Sequence, residues 1–253
     1  MQRLSTGLRV NSAADDAAGH QIANRMTAEI MGLKQAIKNA ADAQALMGTA
    51  EGAIEEIQVM LLRMRELAVQ SSNATNSTAD KASLQLEAAQ LETEIQRTAN
   101  NTTWAGKVLL NGTFSGDEDS AGRTFQIGTD SGQTIELSIP ELTATAVTIG
   151  YSAALSIGSF TGAQSAIVTI DDGMSTLANV RANIASKMNR LDHTIANLEN
   201  VVTNLSQSKG RIVDADYATE TANLARTQVL QQASMAMLAQ ANASKQNILT
   251  LFQ

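Results

Sequence analysis

The chain has 253 residues, a net charge of −7, a pI near 4.9, 3% aromatic residues, one Pro and no Cys. The acidic balance and the lack of a clustered basic face argue against a nucleic-acid binder, and the missing thiols exclude disulfides, thiolate metal sites and a Cys nucleophile. With so little aromatic volume, Ala, Leu, Ile, Val and Met must fill the interior, which suits thin helical rods better than a thick core.

The first residues carry no basic stretch followed by an apolar one, so no Sec signal peptide is expected. Nothing approaches eighteen uninterrupted apolar residues, so no membrane insertion is expected either. Met1 to Ala14 is polar and broken by Gly7, and reads as an extended lead-in. Asn11 or Ser12 is placed to cap the next helix, with Asp15 and Asp16 in its first turn against the helix dipole.

From about Asp16 to Ser71 apolar residues recur at alternating three- and four-residue steps: Met26, Ile30, Leu33, Ile37, Ala40, Ala43, Met47, Ala50, Ile54, Ile57, Leu61, Met64 and Ala68. This is the seam of a long helix that buries one stripe against other helices. Arg63 and Leu67 read as lying off that seam. Ser71 to Thr78 is a run of small polar residues, hence a loop. A second helix follows from about Ala79 to Ala99, with Leu84, Ala88, Leu91, Ile95 and Ala99 on one stripe, as an antiparallel neighbour of the first.

Between Asn100 and Gly162 the helical period disappears. Phe125–Ile127 and Thr134–Ile139 alternate apolar and polar around Gly128–Gly132, which predicts a hairpin with a five-residue loop. That glycine-rich loop lacks the Gly-Lys-Ser/Thr ending and following helix of a phosphate cradle. Thr143 to Phe160 is poorly patterned and is expected to be a variable surface segment. Helical period returns over 163–207, from Ile167 through Ile184 to Leu205, with Asp171-Asp172-Gly173 on its polar face rather than in a calcium loop. Lys209-Gly210 marks an expected break.

Ala215 to Phe252 reads as a last helix of another kind. Past Arg226 its only charged residue is Lys245. A helix nearly uncharged all round needs burial on most sides, yet no stripe remains in this chain to cover Val229, Leu230, Met237, Leu238, Ile248, Leu249, Leu251 and Phe252. That implies other subunits. His20 and His193 are far apart in sequence, no His-Glu-x-x-His occurs, and the carboxylates are spread along helix faces. No catalytic constellation, metal site or cofactor site is expected, and the Asn-x-Thr triplets at Asn73 and Asn101 are weak glycosylation signals. The expected fold is mainly α: an elongated antiparallel helical bundle or coiled-coil rod over 1–211, with a small β-hairpin and variable region at 104–162, and a separate C-terminal helix over 212–253.

Several segments resemble bacterial flagellin. Arg3-Leu4-Ser5-Thr6-Gly7-Leu8-Arg9-Val10-Asn11-Ser12-Ala13-Ala14-Asp15-Asp16-Ala17-Ala18-Gly19 is similar to the family's N-terminal signature, and Arg65-Glu66-Leu67-Ala68-Val69-Gln70-Ser71 to the end of its first long helix. Asn189-Arg190-Leu191, Ile195-Ala196-Asn197-Leu198 and Ile212 to Glu220 resemble its C-terminal core, as do Leu230-Gln231-Gln232-Ala233 and Leu238-Ala239-Gln240-Ala241-Asn242. The resemblance implies a secreted subunit that polymerises with itself into the extracellular flagellar filament for motility, with no cofactor. It implies export through the flagellar type III apparatus, a cytosolic export chaperone on the C-terminal helix, and cap and hook-junction proteins as further partners. Family chains carry a further helix before the segment matching Met1, the partner of Ala215–Phe252, so the chain as given is not expected to polymerise alone. Met188 and His20 stand where the family usually has Gln and an apolar residue.

The resemblance also implies that Arg63, Met64, Glu66, Leu67 and Gln70 are buried between subunits in the filament and form the patch bound on the monomer by the vertebrate Toll-like flagellin receptor. Where receptor-binding members have a Glu on the second helix, Thr93 stands here between Glu92 and Glu94. Two alternatives share features with this reading. A hook–filament junction protein shares the terminal helices, and a flagellin-like surface adhesin would place its binding site in 104–162.

Overall fold

The computed structural model describes residues 1–114, 123–144 and 155–251, with side chains described up to residue 241. In chain order the elements are α1 (Gln2–Thr6), α2 (Ala17–Ser71), α3 (Thr78–Asn101), β1 (Thr103–Trp104), β2 (Lys107–Val108), β3 (Arg123–Gln126), β4 (Thr134–Leu137), α4 (Phe160–Val213) and α5 (Tyr217–Leu251). The chain is a helical bundle with two small antiparallel hairpins. It divides into two compact units, Gly32–Asn200 and Met1–Met31 with Val201–Gln253. Their limits fall inside α2 and α4.

In the unit Gly32–Asn200, α2 runs antiparallel to both α3 and α4. Arg63 of α2 reaches Glu87 of α3 across the loop at Ser72–Ser77. Against α4, Arg65 meets Asp171, Glu51 and Gln58 meet Arg181, and Gln44 meets Asp192, so positions falling along one helix rise along the other. Ala40, Ala43, Met47, Ala50, Ile54, Ile57, Leu61, Met64 and Ala68 are buried as the seam requires, facing Ala88, Ile95 and Ala99 of α3 and Ile170, Leu177, Ile184 and Leu191 of α4. The non-helical part also feeds this core through Leu109, Leu110, Phe114, Ile135, Leu137 and Ile139.

The start of α3 has a capping box. The Ser77 hydroxyl accepts from the Asp80 amide at 3.2 Å, and the Asp80 carboxylate accepts from the Ser77 amide at 2.9 Å. This reciprocal pair satisfies donors that a helix N-terminus leaves free. The β1–β2 hairpin, absent from the sequence reading, turns on Ala105 (φ 48) and Gly106 (φ 79). Two positive φ angles in a two-residue loop match the twist of paired strands. In β3–β4, Gln126 pairs with Thr134, so Ile127 falls in the loop rather than in the strand expected there. The expected variable segment falls largely on 145–154, outside the described residues.

The other unit departs furthest from expectation. Residues 2–6 form α1, not an extended lead-in, and Gly7 ends it at φ 72 and ψ 6. A left-handed residue at this place closes the helix, since its amide donates back to the Arg3 carbonyl at 2.9 Å. Five residues carry no readable period. What holds α1 is tertiary contact: the Tyr217 hydroxyl donates to the Leu4 carbonyl at 3.1 Å, and Arg3 pairs with Glu220 at 3.0 Å. Leu8 bridges to Asp214, flanked by bonds from the Arg9 amide to Val213 O at 2.7 Å and from the Ala215 amide to Gly7 O at 2.9 Å.

The acidic pair also works differently. Asp16, not Asn11 or Ser12, precedes α2 and accepts from the Gly19 amide at 2.9 Å. A Cβ at Gly19 would lie 2.4 Å from the Asp16 carboxylate, so glycine makes room for the cap. Asp15 turns back, accepting from the amides of Asn11 and Ser12 at 3.1 and 2.9 Å and from the Ser12 hydroxyl at 3.1 Å. At the far end α4 continues through Lys209-Gly210 to Val213, and the break lies at Asp214–Asp216. One helical glycine costs only about 1 kcal/mol, too little to end a long packed helix. Asp216 starts α5 by accepting from the Ala218 amide at 3.0 Å and the Thr219 hydroxyl at 2.8 Å.

Candidate functional site

The five residues expected as a patch on α2 do not form one surface. Met64 and Leu67 are fully buried inside the chain, while Arg63, Glu66 and Gln70 are exposed. The placing of Leu67 off the seam is therefore corrected: it is a core residue. α2 has neighbours on two sides, and such a helix buries a broader arc than a two-position seam. Arg63, which does lie outside the core, is held by two carboxylates. Its Nη2 sits 2.7 Å from Glu87 and its Nη1 2.6 Å from Glu66. Hydrogen bonds to Glu87 and then Glu66 hold its guanidinium more firmly protonated than usual. On α3, Thr93 is exposed, and its hydroxyl donates to the Ala89 carbonyl at 2.8 Å, while Glu94 is tied to Arg97.

The surface of the unit Gly32–Asn200 also carries exposed apolar side chains that sequence reasoning missed. Val59, Leu62 and Val69 of α2 are about half exposed, and Leu86 of α3 and Val168 of α4 more so. With Glu66 they recur at steps of three and four along α2, so Val59, Leu62 and Val69 share one outward stripe. The available signal was that Val59, Leu62 and Val69 fall off the seam positions Ile57, Leu61, Met64 and Ala68.

On α5 the predicted residues Val229, Leu230, Met237 and Leu238 are all exposed, between 58% and 71%, and Met235 joins them at 67%. Among the described residues the first turns of α5 touch α1, through Tyr217 and Glu220. The sequence expectation that α5 lacks any intrachain partner is thus corrected for its start, and every residue from 225 to 241 is exposed. Ile248, Leu249, Leu251 and Phe252 lie outside the described side chains. Among the described residues no group of His, Asp and Glu could hold a metal ion, and no helix is long and apolar enough to cross a membrane.

A bundle whose outstanding surfaces are apolar helix faces fits the class of structural, self-associating proteins. Comparison with known proteins gives the family. The family model for the bacterial flagellin N-terminal helical region matches residues 1–115, and that for the C-terminal helical region matches residues 167–252. A flagellin of Halalkalibacterium halodurans is 44% identical over the whole chain and 90% of its own length. A flagellin of Bacillus subtilis is 38% identical over the whole chain and 91% of its own. The crystal structure of Bacillus cereus flagellin aligns with a TM-score of 0.55 at 31% identity, covering 64% of this chain and 88% of that one. The chain belongs to the bacterial flagellin family. It is a structural subunit of the flagellar filament, the extracellular polymer of bacterial motility, and not an enzyme.

Proposed function

We propose that α5 is a surface used twice, first by a cytosolic export chaperone and then by neighbouring subunits of the filament. The observation that carries this is the exposure of Val229, Leu230, Met237 and Leu238 on a helix with no charged residue between Arg226 and Lys245. Such a face aggregates in water unless it is covered. A helix laid in an apolar groove is a sufficient way to cover it before export, and contacts between copies that do not close on themselves then propagate a helical polymer. The subunit leaves the cell through the flagellar type III apparatus, is added under a cap protein and meets hook-junction proteins at the filament base. Ile248, Leu249, Leu251 and Phe252 extend the same surface in sequence.

The exposed residues of the α2 patch, Arg63, Glu66 and Gln70, serve contacts between subunits and, on the free monomer, the vertebrate Toll-like flagellin receptor. Met64 and Leu67 support that surface from beneath. The test is the double variant Leu230→Asp with Leu238→Asp, compared with wild type in a flagellin-deleted strain. We expect unchanged helical circular dichroism of the purified chain, no co-purification with the chaperone and no filaments. Filaments of normal length together with normal chaperone capture would place both functions elsewhere.

A further inference from the structure

We propose that Met235 and Met237 form an oxidation site on the unassembled subunit, where conversion to the sulfoxide by a peroxide blocks incorporation into polymer. The ten methionines of this chain fall into distinct environments. Met47 and Met64 are fully buried in the core of Gly32–Asn200, whereas Met1, Met31, Met235 and Met237 are 65–85% exposed, and of these four only Met235 and Met237 lie on α5. The residues three and four positions from Met237 are Ala233, Ser234, Gln240 and Ala241, three of them too short to cover a thioether. Susceptibility of methionine follows exposure, because the oxidant must reach the sulfur.

The reaction needs only a hydroperoxide. The thioether sulfur attacks the terminal peroxide oxygen, the O–O bond breaks, one oxygen stays on sulfur and the remainder takes up the proton and leaves as water from hydrogen peroxide or as an alcohol from an organic hydroperoxide. The sulfur is oxidised and the peroxide reduced. The product is a polar, chiral sulfoxide in place of a flexible apolar group.

The placing of the two residues makes this consequential. Two positions apart on a helix is about 200° of rotation. The two therefore stand on nearly opposite sides of α5, and any packing arc wider than about 200° includes at least one of them. The surrounding face offers Val229, Leu230 and Leu238 and no cation to a new S=O group. This inference rests on the reading of α5 as the packing surface, and it adds that assembly itself protects the sulfurs.

The experiment treats the purified full chain, and separately filaments of the same protein, with hydrogen peroxide and measures sulfoxide at each methionine by peptide mass spectrometry. In the free chain Met235 and Met237 should oxidise about tenfold faster than Met47 and Met64, and in filaments their rates should fall by about tenfold. Oxidised wild-type chain should fail to elongate sheared filament seeds, while the Met235→Leu, Met237→Leu double variant elongates equally well before and after peroxide. Equal rates for the exposed and buried pairs in the free chain would overturn the site itself. Full elongation by wild-type chain oxidised at both positions would overturn its consequence. Unchanged rates in filaments, with fast oxidation in the free chain, would instead remove the reading of α5 as a packing surface.

Discussion

The side-chain amide of Gln85 on α3 holds Ile157 as a strand would: its Oε1 accepts from the Ile157 amide at 2.5 Å while its Nε2 donates to the Leu155 carbonyl at 2.8 Å. The Ser71 hydroxyl donates to the Ile157 carbonyl from the end of α2. Three turns further along α3, Gln96 accepts from the Ala144 amide at 3.2 Å. Two glutamines on one helix thus tie down both flanks of the segment 145–154. Because Ile157 is fully buried, Gln85→Leu leaves its amide without a partner and should cost about 1–3 kcal/mol. Gln85→Glu keeps the acceptor for Ile157 but turns an oxygen toward the Leu155 carbonyl, so its loss in urea unfolding should be smaller than that of Gln85→Leu in acid, where the protonated carboxyl donates in place of the amide. Equal losses for the two variants in acid would show that the Ile157 bond contributes nothing.

Leu67→Ala removes a fully buried side chain at the junction of α2 with its neighbours. It should destabilise the chain by about 2–5 kcal/mol. Arg63→Ala breaks ion pairs in which every partner is more than a third exposed, and solvent screening keeps its cost well below that of Leu67→Ala. The comparison is a shift in urea midpoint for the two single variants. A midpoint moved as far by Arg63→Ala as by Leu67→Ala would contradict this packing.

Gly7→Ala forces a side chain into the left-handed region at φ 72 and toward the Tyr217 hydroxyl, 3.4 Å from the added Cβ. The backbone conformation alone costs about 1–2 kcal/mol. The effect should be local to α1 and the start of α5, so the readout is hydrogen exchange at the Ala215 amide, which donates to the Gly7 carbonyl. Exchange there should accelerate while that of the buried amides of α2 between 40 and 68 stays unchanged. Unaltered protection at Ala215 would mean that Gly7 is not what closes α1.

Three carboxylates that accept backbone amides, at Asp80, Asp15 and Asp216, give a pH dependence. Asp80 is held below the usual carboxylate range by the Ser77 hydroxyl and then the Ser77 amide, Asp15 by the amides of Ser12 and Asn11, and Asp216 by the Thr219 hydroxyl and the Ala218 amide. Each binds its proton more weakly in the folded than in the unfolded chain. Their contribution is therefore complete above the ordinary carboxylate range and lost as pH falls through the lowered folded values. Calorimetry should show Tm level near neutral pH and falling below about pH 4. Asp80→Asn, which keeps a capping oxygen without the charge, should flatten that fall. A wild-type Tm unchanged down to about pH 2 would show that these carboxylates are not linked to folding.

Much of the bundle was legible in the residues because long helices write their burial as a period. The seam from Ala40 to Ala68, the loop at Ser72–Ser77, the second helix and the uncharged character of α5 follow from spacing and charge, which act within one helix. The signature segments likewise made the family readable. Tertiary structure decided what depends on who lies next to whom. Leu67 is core because α2 meets α3 on one side and α4 on the other, a breadth no single helix reveals. Residues 2–6 are helical because Tyr217 and Glu220, more than 200 positions away, supply partners for a helix too short to hold itself. α4 runs past Gly210 because the cost of one glycine is small beside the packing of a long helix. Local chemistry sets which segments can be helix, whereas burial, being a property of neighbours, sets where each helix ends and which of its faces is left for another molecule.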